Sequence, residues 1–357
     1  MTATVPTRRL RVLVVGIGQM GRSHAIAYHR NPAYEVIGLH NRTPLDDLPP
    51  ELAGYPMLGS FEEGLAREPD VVSIATYTET HAELAIRAME AGAHVFVEKP
   101  LALTMDSARA VIDCAARAQR KLVIGYILRH HPSWRELIRA SRQLGPPYVM
   151  RMNLNQPSTG AAWAIHKRLM RSTPPIVDCG VHYVDVMCQI TDARPLQVRG
   201  MGVRLAGDIA PDQVNYGHLQ VLFADGSVGW YEAGWGPMIS STAGVVKDVM
   251  SPRGSVSLVM DADADAADIE THTKAGQLRV HALEFAPGGA VVGATESLVP
   301  IHDQVDHQSL CDREQAFLAE AITTDADLGA HHADALRSLQ IVLAAEQSLR
   351  ERRAVDL

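Results

Sequence analysis

The sequence has 357 residues, of which 46% are hydrophobic and 21% charged, and its formal net charge is −8. This composition is typical of a globular protein and excludes a disordered or fibrous chain. The acidic balance argues against a nucleic-acid-binding protein, which needs a basic surface, and no apolar run approaches the roughly 20 residues that span a bilayer. At roughly 150 residues per domain, the length favours about two domains.

The four cysteines are too few and too widely spaced for a disulfide scaffold, and no C-x-x-C pair is present. Arg8 and Arg9 precede an apolar run, as in a twin-arginine export signal. That run ends near Val15 and no small-residue cleavage site follows it. We therefore expect a cytoplasmic protein.

Strand-like and helix-like segments alternate over the first third of the chain. The predicted strands cover residues 10–16, 34–40, 70–76, 94–100 and 121–126. The predicted helices between them cover residues 20–31, 61–67, 81–92 and 104–120. Such alternation requires a parallel sheet with helices on both faces, so we predict a doubly wound Rossmann domain over residues 1–126.

The rest of the chain has the pattern of an α+β domain, predicted over residues 127–357. The turn signals Asp225-Gly226 and Gly288-Gly289 favour antiparallel hairpins, and therefore an open, mostly antiparallel sheet. The predicted strands cover residues 148–156, 196–205, 216–226, 227–236, 254–260 and 277–283. The predicted helices cover residues 132–143, 177–191, 307–324 and 331–352.

A G-x-G-x-x-G motif at residues 16–21 directly follows the first strand and opens a helix. Glycine allows a tight turn at Gly16, close approach of a pyrophosphate at Gly18 and close helix packing at Gly21, while the helix N-terminus offers free N–H groups. We predict dinucleotide binding here, with Gln19 and Met20 as further contacts. A purely structural turn is the alternative.

The end of the second strand bears on the choice of dinucleotide. NAD-binding folds usually carry Asp or Glu there, whereas this sequence has Asn41, Arg42 and Thr43 after His40. A 2′-phosphate would be repelled by a carboxylate and held by these groups, so we predict NADP, with NAD as the alternative.

Glu98-Lys99-Pro100 ends the fourth strand, at the edge where open α/β sheets bind ligands. Residues 16–24 (G-x-G-x-M-G-R-x-H), 75–104 and 178–185 (D-x-G-V-H-Y-V-D) accompany it in this order. Together these segments resemble the glucose–fructose oxidoreductase/inositol dehydrogenase (Gfo/Idh/MocA) family. The resemblance implies a pyridine-nucleotide oxidoreductase of sugars, cyclitols and their derivatives. It also implies an α+β domain that binds substrate and forms a homodimer or homotetramer through its open sheet.

The resemblance further assigns Lys99, Asp178 and His182 to the catalytic set and implies a cis peptide before Pro100. Asp178 and His182 are four residues apart, so a helix would place both on one face. A histidine with an ordinary pKa near about 6.5 is suited to accept a hydroxyl proton as hydride leaves the same carbon. The alternative for His182 is a buried histidine held by Asp185.

Further site residues follow the positions of relatives. On the cofactor side these are Thr76, Tyr77, His81, Glu98, Lys99 and Pro100. On the substrate side these are Lys99, Arg129, Trp163, His166, Asp178, His182 and Tyr183. The sequence departs from the family pattern at two places. Ser172-Thr173-Pro174-Pro175 replaces a glycine-rich stretch that borders the substrate in relatives, so the substrate class stays open. Tyr77 stands where the family often has proline.

We expect no metal, since the proposed hydride transfer needs none. The Asp261–Asp265 run lacks the later Gly and Glu of a calcium loop. Two alternatives to a dehydrogenase stay open. One is a glycoside-processing enzyme that oxidises its sugar transiently with NAD, and the other is a nucleotide-sensing regulator without catalysis.

Overall fold

The computed structural model describes residues 8–45, 47–240, 245–259, 275–303 and 305–357. The Asp261–Asp265 run lies outside these residues. The chain divides into two units. Unit 1 comprises residues 1–127 and 306–336, and unit 2 comprises residues 128–305 and 337–357.

Unit 1 contains a parallel sheet, as the alternating pattern predicts, and its six strands include a two-residue strand that the pattern does not predict. The strands are Leu10–Val15 (β1), Tyr34–His40 (β2), Met57–Leu58 (β3), Val71–Ile74 (β4), His94–Glu98 (β5) and Leu122–Gly125 (β6). The helices between them are Gln19–Arg30 (α1), Phe61–Leu65 (α2), His81–Glu90 (α3) and Met105–Ala118 (α4). The strand order is β3-β2-β1-β4-β5-β6, so the order reverses between β1 and β4, where ligands of such sheets bind.

Unit 2 is built on a nine-stranded sheet that is antiparallel except for the β7–β10 pair, which confirms the predicted α+β class. Its helices are Pro132–Leu144 (α5), Gly160–Leu169 (α6), Pro175–Asp178 (α7) and Gly180–Thr191 (α8). Its strands are Val149–Pro157 (β7), Pro195–Val203 (β8), Tyr216–Phe223 (β9), Val228–Gly236 (β10), Lys247–Ser251 (β11), Gly254–Val259 (β12), Gln277–Phe285 (β13), Val291–Pro300 (β14) and Val355–Asp356 (β15). They lie in the order β14-β13-β12-β11-β7-β10-β9-β8-β15.

The two faces of this sheet differ in burial because side chains alternate along each strand. On β7, Met150 and Met152 are fully buried on the face that the helices cover. Val149 lies on the opposite, open face with 42% of its surface exposed, and Leu222 of β9 and Met250 of β11 are also exposed. Unit 2 thus keeps one apolar core face and one partly apolar open face.

Among the described elements of unit 2, α6, β11, β14 and β15 escape prediction from the sequence. In β11, Lys247 takes one of the buried positions, so the strand lacks the alternation of apolar and polar residues that marks a half-buried strand. β14 is almost entirely exposed, so no buried alternation marks it. The predicted helix over 177–191 is instead two helices, α7 and α8, which meet at Cys179.

The end of the chain forms His307–Thr323 (α9) and Gly329–Glu351 (α10). The sequence places all of this tail in the second domain, whereas residues 306–336 lie in unit 1. There α9 packs against α1, and the Tyr34 hydroxyl donates to the Gln315 carbonyl at 2.8 Å. Within the described residues, no helix is both long and apolar enough to cross a membrane.

Candidate active site

The loop between β1 and α1 has the geometry of a pyrophosphate cradle. Gly16 has φ +87°, and a Cβ there would lie 2.5 Å from the Ala75 carbonyl oxygen. A Cβ on Gly21 would lie 1.8 Å from the Gly16 carbonyl oxygen. Around Gly18 the space is open, with no heavy atom within 4 Å of where a Cβ would stand. The free N–H groups of α1 begin here with Gln19, so the residues present fit a dinucleotide phosphate.

At the end of β2, Asn41 braces the cradle. Its Oδ1 accepts the Ile17 N–H at 2.9 Å, and its Nδ2 donates to the Thr43 carbonyl at 2.7 Å. The side chain of Asn41 therefore holds the loop shape through hydrogen bonds to the backbone. The adjacent Arg42 and Thr43 are exposed, so their polar groups can reach a ligand.

His81 ties the loop after β4 to the loop after β5. Its Nδ1 lies 2.8 Å from the Pro100 carbonyl and its Nε2 lies 3.0 Å from the Thr76 carbonyl. His81 is 1% exposed, and burial lowers its pKa. It therefore positions two backbone segments of the predicted cofactor side, while Thr76 and Tyr77 beside it are half-buried.

Glu98 occupies the last position of β5 and positions the residue after it. Its Oε2 accepts the Lys99 N–H at 3.1 Å, and its Oε1 lies 2.7 Å from Nε2 of His24. Lys99 itself is half-buried, and its peptide bond to Pro100 is cis. Buried Glu98 thus supports the strand end, and the sequence motif already contained its partner His24.

Asp178 and His182 belong to unit 2, at the junction of α7 and α8. Cys179 between them keeps helical φ and ψ of −83° and −35°, and the His182 N–H donates to the Cys179 carbonyl at 3.2 Å. The turn is therefore continuous enough to keep these two side chains within about one helical turn, as their spacing predicts. Asp178 is 7% exposed and His182 is half-buried.

His166 of α6 stacks on Trp235 of β10, with ring centroids 4.3 Å apart and an interplanar angle of 9°. Its Nδ1 lies 3.0 Å from the Ser158 hydroxyl, and the Trp235 indole N–H donates to Gln156 Oε1 at 2.9 Å. Burial lowers the pKa of His166 to about 4, although the charge of Asp178 opposes this shift. Gln156 and Ser158 were not predicted, because nothing in the local sequence marks their partners.

Arg129 is committed to a buried ion pair. Its Nε and Nη2 donate to the two carboxylate oxygens of Asp185 at 2.8 and 2.5 Å, and Gln189 Nε2 also donates to that carboxylate. The Asp185 side chain is 1% exposed and the Arg129 side chain 17%. Arg129 therefore pairs with α8 in this structure, and its contact with substrate stays a prediction.

Tyr183, predicted as a substrate contact, lies in the core of unit 2. It stacks on Tyr231 with ring centroids 5.0 Å apart and meets Trp134 edge-on at 5.4 Å. The ammonium of Lys247 lies 4.3 Å from its ring centroid, and burial lowers the pKa of this lysine well below its usual range. Tyr183 is 3% exposed and packs in this aromatic core, and its contact with substrate stays a prediction.

The indole nitrogen of Trp163 also has a hydrogen-bond partner within unit 2. The indole N–H donates to Asp208 Oδ2 at 3.0 Å, and Lys167 pairs with the same oxygen at 2.9 Å. Trp163 is 7% exposed, so it braces α6 against the segment that carries Asp208.

The predicted site residues thus form two sets. The cofactor-side residues and Lys99 lie in unit 1, and Asp178, His182 and His166 lie in unit 2. The family model described as an oxidoreductase family with an NAD-binding Rossmann fold matches residues 10–126. The GFO/IDH/MocA C-terminal domain model matches residues 133–238. The chain belongs to the Gfo/Idh/MocA family. Its first unit is therefore an NAD-binding Rossmann domain by family.

Among curated proteins, the chain is similar to UDP-N-acetylglucosamine 3-dehydrogenase of Acidithiobacillus ferrooxidans, with 32% identity over 206 residues. That match covers 56% of this chain and 60% of the relative. It is also similar to inositol 2-dehydrogenase of Agrobacterium fabrum, with 27% identity over 51% of this chain and 54% of the relative. The chain therefore spans little more than half of either relative.

Among solved structures, the chain resembles myo-inositol 2-dehydrogenase from Lactobacillus plantarum, with a TM-score of 0.78 and 20% identity. The superposition covers 98% of this chain and 100% of that structure. The predicted fold is therefore confirmed over both units.

Proposed function

We propose that the protein is an NAD(P)-dependent oxidoreductase that transfers a hydride between nicotinamide and a secondary hydroxyl or ketone of a sugar, sugar derivative or cyclitol. One observation carries this proposal: a chain of this family combines an open phosphate cradle at Gly18 with the residues Lys99, Asp178 and His182. The two curated relatives, named as dehydrogenases of an amino sugar nucleotide and of inositol, support the substrate class.

In this proposal each residue has a separate task. A bound nicotinamide cofactor supplies the hydride acceptor or donor. His182 takes the proton of the substrate hydroxyl at a ring nitrogen during oxidation and returns it during reduction. Lys99 donates a hydrogen bond to the same oxygen and stabilises its developing negative charge, and Asp178 orients the substrate.

The test is a panel of sugars, sugar nucleotides and cyclitols, assayed with NAD and with NADP by the absorbance of the reduced cofactor. Steady formation of reduced cofactor with at least one member supports a dehydrogenase. Substrate conversion with tightly retained cofactor and no net reduction would instead support a glycoside-processing enzyme. Cofactor binding without turnover on any member would favour a regulator.

For the cofactor, we propose a preference for NADP. Asn41 faces the cradle backbone, no carboxylate occupies residues 40–43, and Arg42 is exposed beside it. Asp47, the next acidic side chain described in this loop, is paired with Arg22 at 3.0 Å. Arg42→Ala should raise KM for NADP several-fold and leave KM for NAD unchanged, with Arg109→Ala on α4 as control. A wild-type preference for NAD would contradict the proposal.

We also propose a homodimer or homotetramer that assembles through the open face of the unit 2 sheet. This face exposes apolar side chains on separate strands, among them Met201 at 49%, Val149 at 42% and Leu222 at 41%. Burial of such a surface stabilises association. Light scattering should give a dimer or tetramer, and Leu222→Arg should yield monomers. A monomeric wild type at micromolar concentration would exclude this interface.

A further inference from the structure

Four polar side chains meet where α9 packs on α1 inside unit 1. His307, Cys311 and Glu314 occur on α9 at spacings of four and three residues, which places them along one helix face. His24 of α1 faces them. These contacts join residues almost 290 positions apart, so no local motif announces the group.

The cluster is tight and lies in the protein interior. One side-chain ligand atom each from His24, Cys311 and Glu314 lies within 4.8 Å of the other two. These three residues are 0%, 0% and 1% exposed. Nε2 of the half-buried His307 lies 3.7 Å from the Cys311 sulfur, so a second imidazole borders the same space.

Glu314 is the residue that its surroundings do not explain. Among the described residues, neither of its carboxylate oxygens has a hydrogen-bond partner. A buried carboxyl group without a partner is costly, since it has lost its hydration and gained nothing in return. A cation between Glu314, Cys311 and His24 would bind one of these oxygens and compensate the charge of the carboxylate.

The hydrogen bond at Nε2 of His24 matches that of a metal-bound histidine. Ligating histidines usually donate their other ring N–H to a carboxylate, which orients the ring and raises its basicity. Here Nε2 lies 2.7 Å from Glu98 Oε1, and Nδ1 is the nitrogen left for a ligand. Nδ1 now lies 3.0 Å from Gln315 Nε2, and the Gln315 Oε1 is buried without a partner. Rotation of that amide would release Nδ1.

We propose that His24, Cys311 and Glu314 form a structural Zn²⁺ site in unit 1, with His307 as the fourth ligand. Imidazole, thiolate and carboxylate are the donors that Zn²⁺ takes in tetrahedral sites, whereas Mg²⁺ and Ca²⁺ prefer oxygen alone. Binding displaces the proton of the Cys311 thiol and that of the buried Glu314 carboxyl to solvent, and it leaves every oxidation state unchanged. Through Glu98, which also holds the Lys99 N–H, the ion would stiffen the end of β5.

This site is independent of the proposed hydride transfer and is tested by metal binding. Protein stripped with a chelator is titrated with Zn²⁺ in a calorimeter and with Co²⁺ in a spectrophotometer. We expect one equivalent per chain, a thiolate-to-Co²⁺ charge-transfer band and a higher Tm with Zn²⁺. X-ray absorption of the Zn²⁺ form should show one sulfur neighbour at about 2.3 Å.

Cys311→Ala should abolish the charge-transfer band, and Glu314→Gln should weaken Zn²⁺ binding at least tenfold. Glu98→Gln, which changes the side chain that holds His24 and the Lys99 N–H, should weaken it by about 10–100-fold. The matched controls are Cys114→Ala, which removes a buried cysteine of α4, and Glu320→Gln, on the exposed side of α9. Both should bind like the wild type.

The wild-type measurements decide the proposal even where a variant fails to fold. Absence of a stoichiometric event, or a Zn²⁺ shell without sulfur, would overturn it. It would also be overturned if Cys114→Ala lost the band and folded Cys311→Ala kept it.

Discussion

The two units position their polar groups by different means. In unit 1, the cradle and the ends of β4 and β5 are set largely by backbone: glycines at 16 and 21, a helix N-terminus, and His81 spanning two carbonyl groups. In unit 2, side chains hold other side chains, as in Trp235 with Gln156 and Arg129 with Asp185. Backbone devices leave local sequence motifs, whereas pairs of distant side chains leave none.

The same contrast applies to His81 and His166. His81 meets main-chain oxygens just five and nineteen residues away, so its segment carries a recognisable pattern. His166 stacks on Trp235, which lies 69 positions later in the chain. A residue of the second kind is identified only once the strands of the sheet are in register.

The largest expected effect separates chemistry in unit 2 from binding in unit 1. Under the proposed function, His182→Ala removes the proton acceptor and should lower kcat by about 10²–10⁴-fold, with the Kd for NADP unchanged. Steady-state kinetics and fluorescence titration of the cofactor measure the two quantities. The exposed His302→Ala in unit 2 is the control. A His182→Ala rate close to wild type would remove His182 from the mechanism.

A second variant tests whether Arg129 is structural. Arg129→Gln leaves the buried Asp185 carboxylate without its bidentate partner, so we expect a loss of about 3 kcal/mol in the free energy of unfolding. Urea denaturation measures it. Arg139→Gln, which breaks an exposed pair with Glu136, should cost less than about 1 kcal/mol. A raised substrate KM with unchanged stability would restore Arg129 to the substrate side.

Two glycines of the cradle should respond differently to an added methyl group. Gly18→Ala meets no atom within 4 Å, so Tm should stay unchanged while the dinucleotide Kd rises about 10-fold or more. Gly21→Ala collides with the Gly16 carbonyl oxygen and should lower both Tm and binding. Thermal melts and cofactor titrations distinguish them. Normal cofactor binding by Gly18→Ala would place the pyrophosphate elsewhere.

The smallest effect is a pH dependence of stability from His166. Its folded-state pKa of about 4 lies below the ordinary 6.5, so the unfolded chain binds more protons between these values. The stabilisation is complete above about pH 6.5 and falls by about 1–2 kcal/mol as the pH drops towards 5. His166→Gln should therefore lose less Tm between pH 7.5 and 5 than the wild type. Equal losses would show that His166 does not titrate in this way.

His94 of unit 1 provides the matched comparison, because burial also lowers its pKa to about 4. Both histidines are half-buried, so we expect His94→Gln to change the same slope in the same direction and by a similar amount. A larger change in His94→Gln would mean that unit 1 limits acid stability.

Prediction from the sequence works best where one short segment makes the structure. The alternation over the first 126 residues and the motif at Gly16–Gly21 predict the parallel sheet and its cradle, because each pattern lies within a short segment of the chain. Nothing in the sequence indicates which side chains Tyr183 and Arg129 contact in the structure. Tyr183 lies on the face of its helix that packs against Tyr231, and Arg129 forms an ion pair with Asp185.

The sequence alone determined the fold class, the family and the residues that match its catalytic set, because short-range periodicity and ordered motifs encode them. The length favoured two domains, and the −8 charge argued against nucleic-acid binding. Neither quantity assigned the tail to a domain. Only the tertiary structure returned residues 306–336 to unit 1 and brought Cys311 and Glu314 to His24. Such a cluster depends on how two helices pack, and packing joins residues whose distance along the chain carries no pattern.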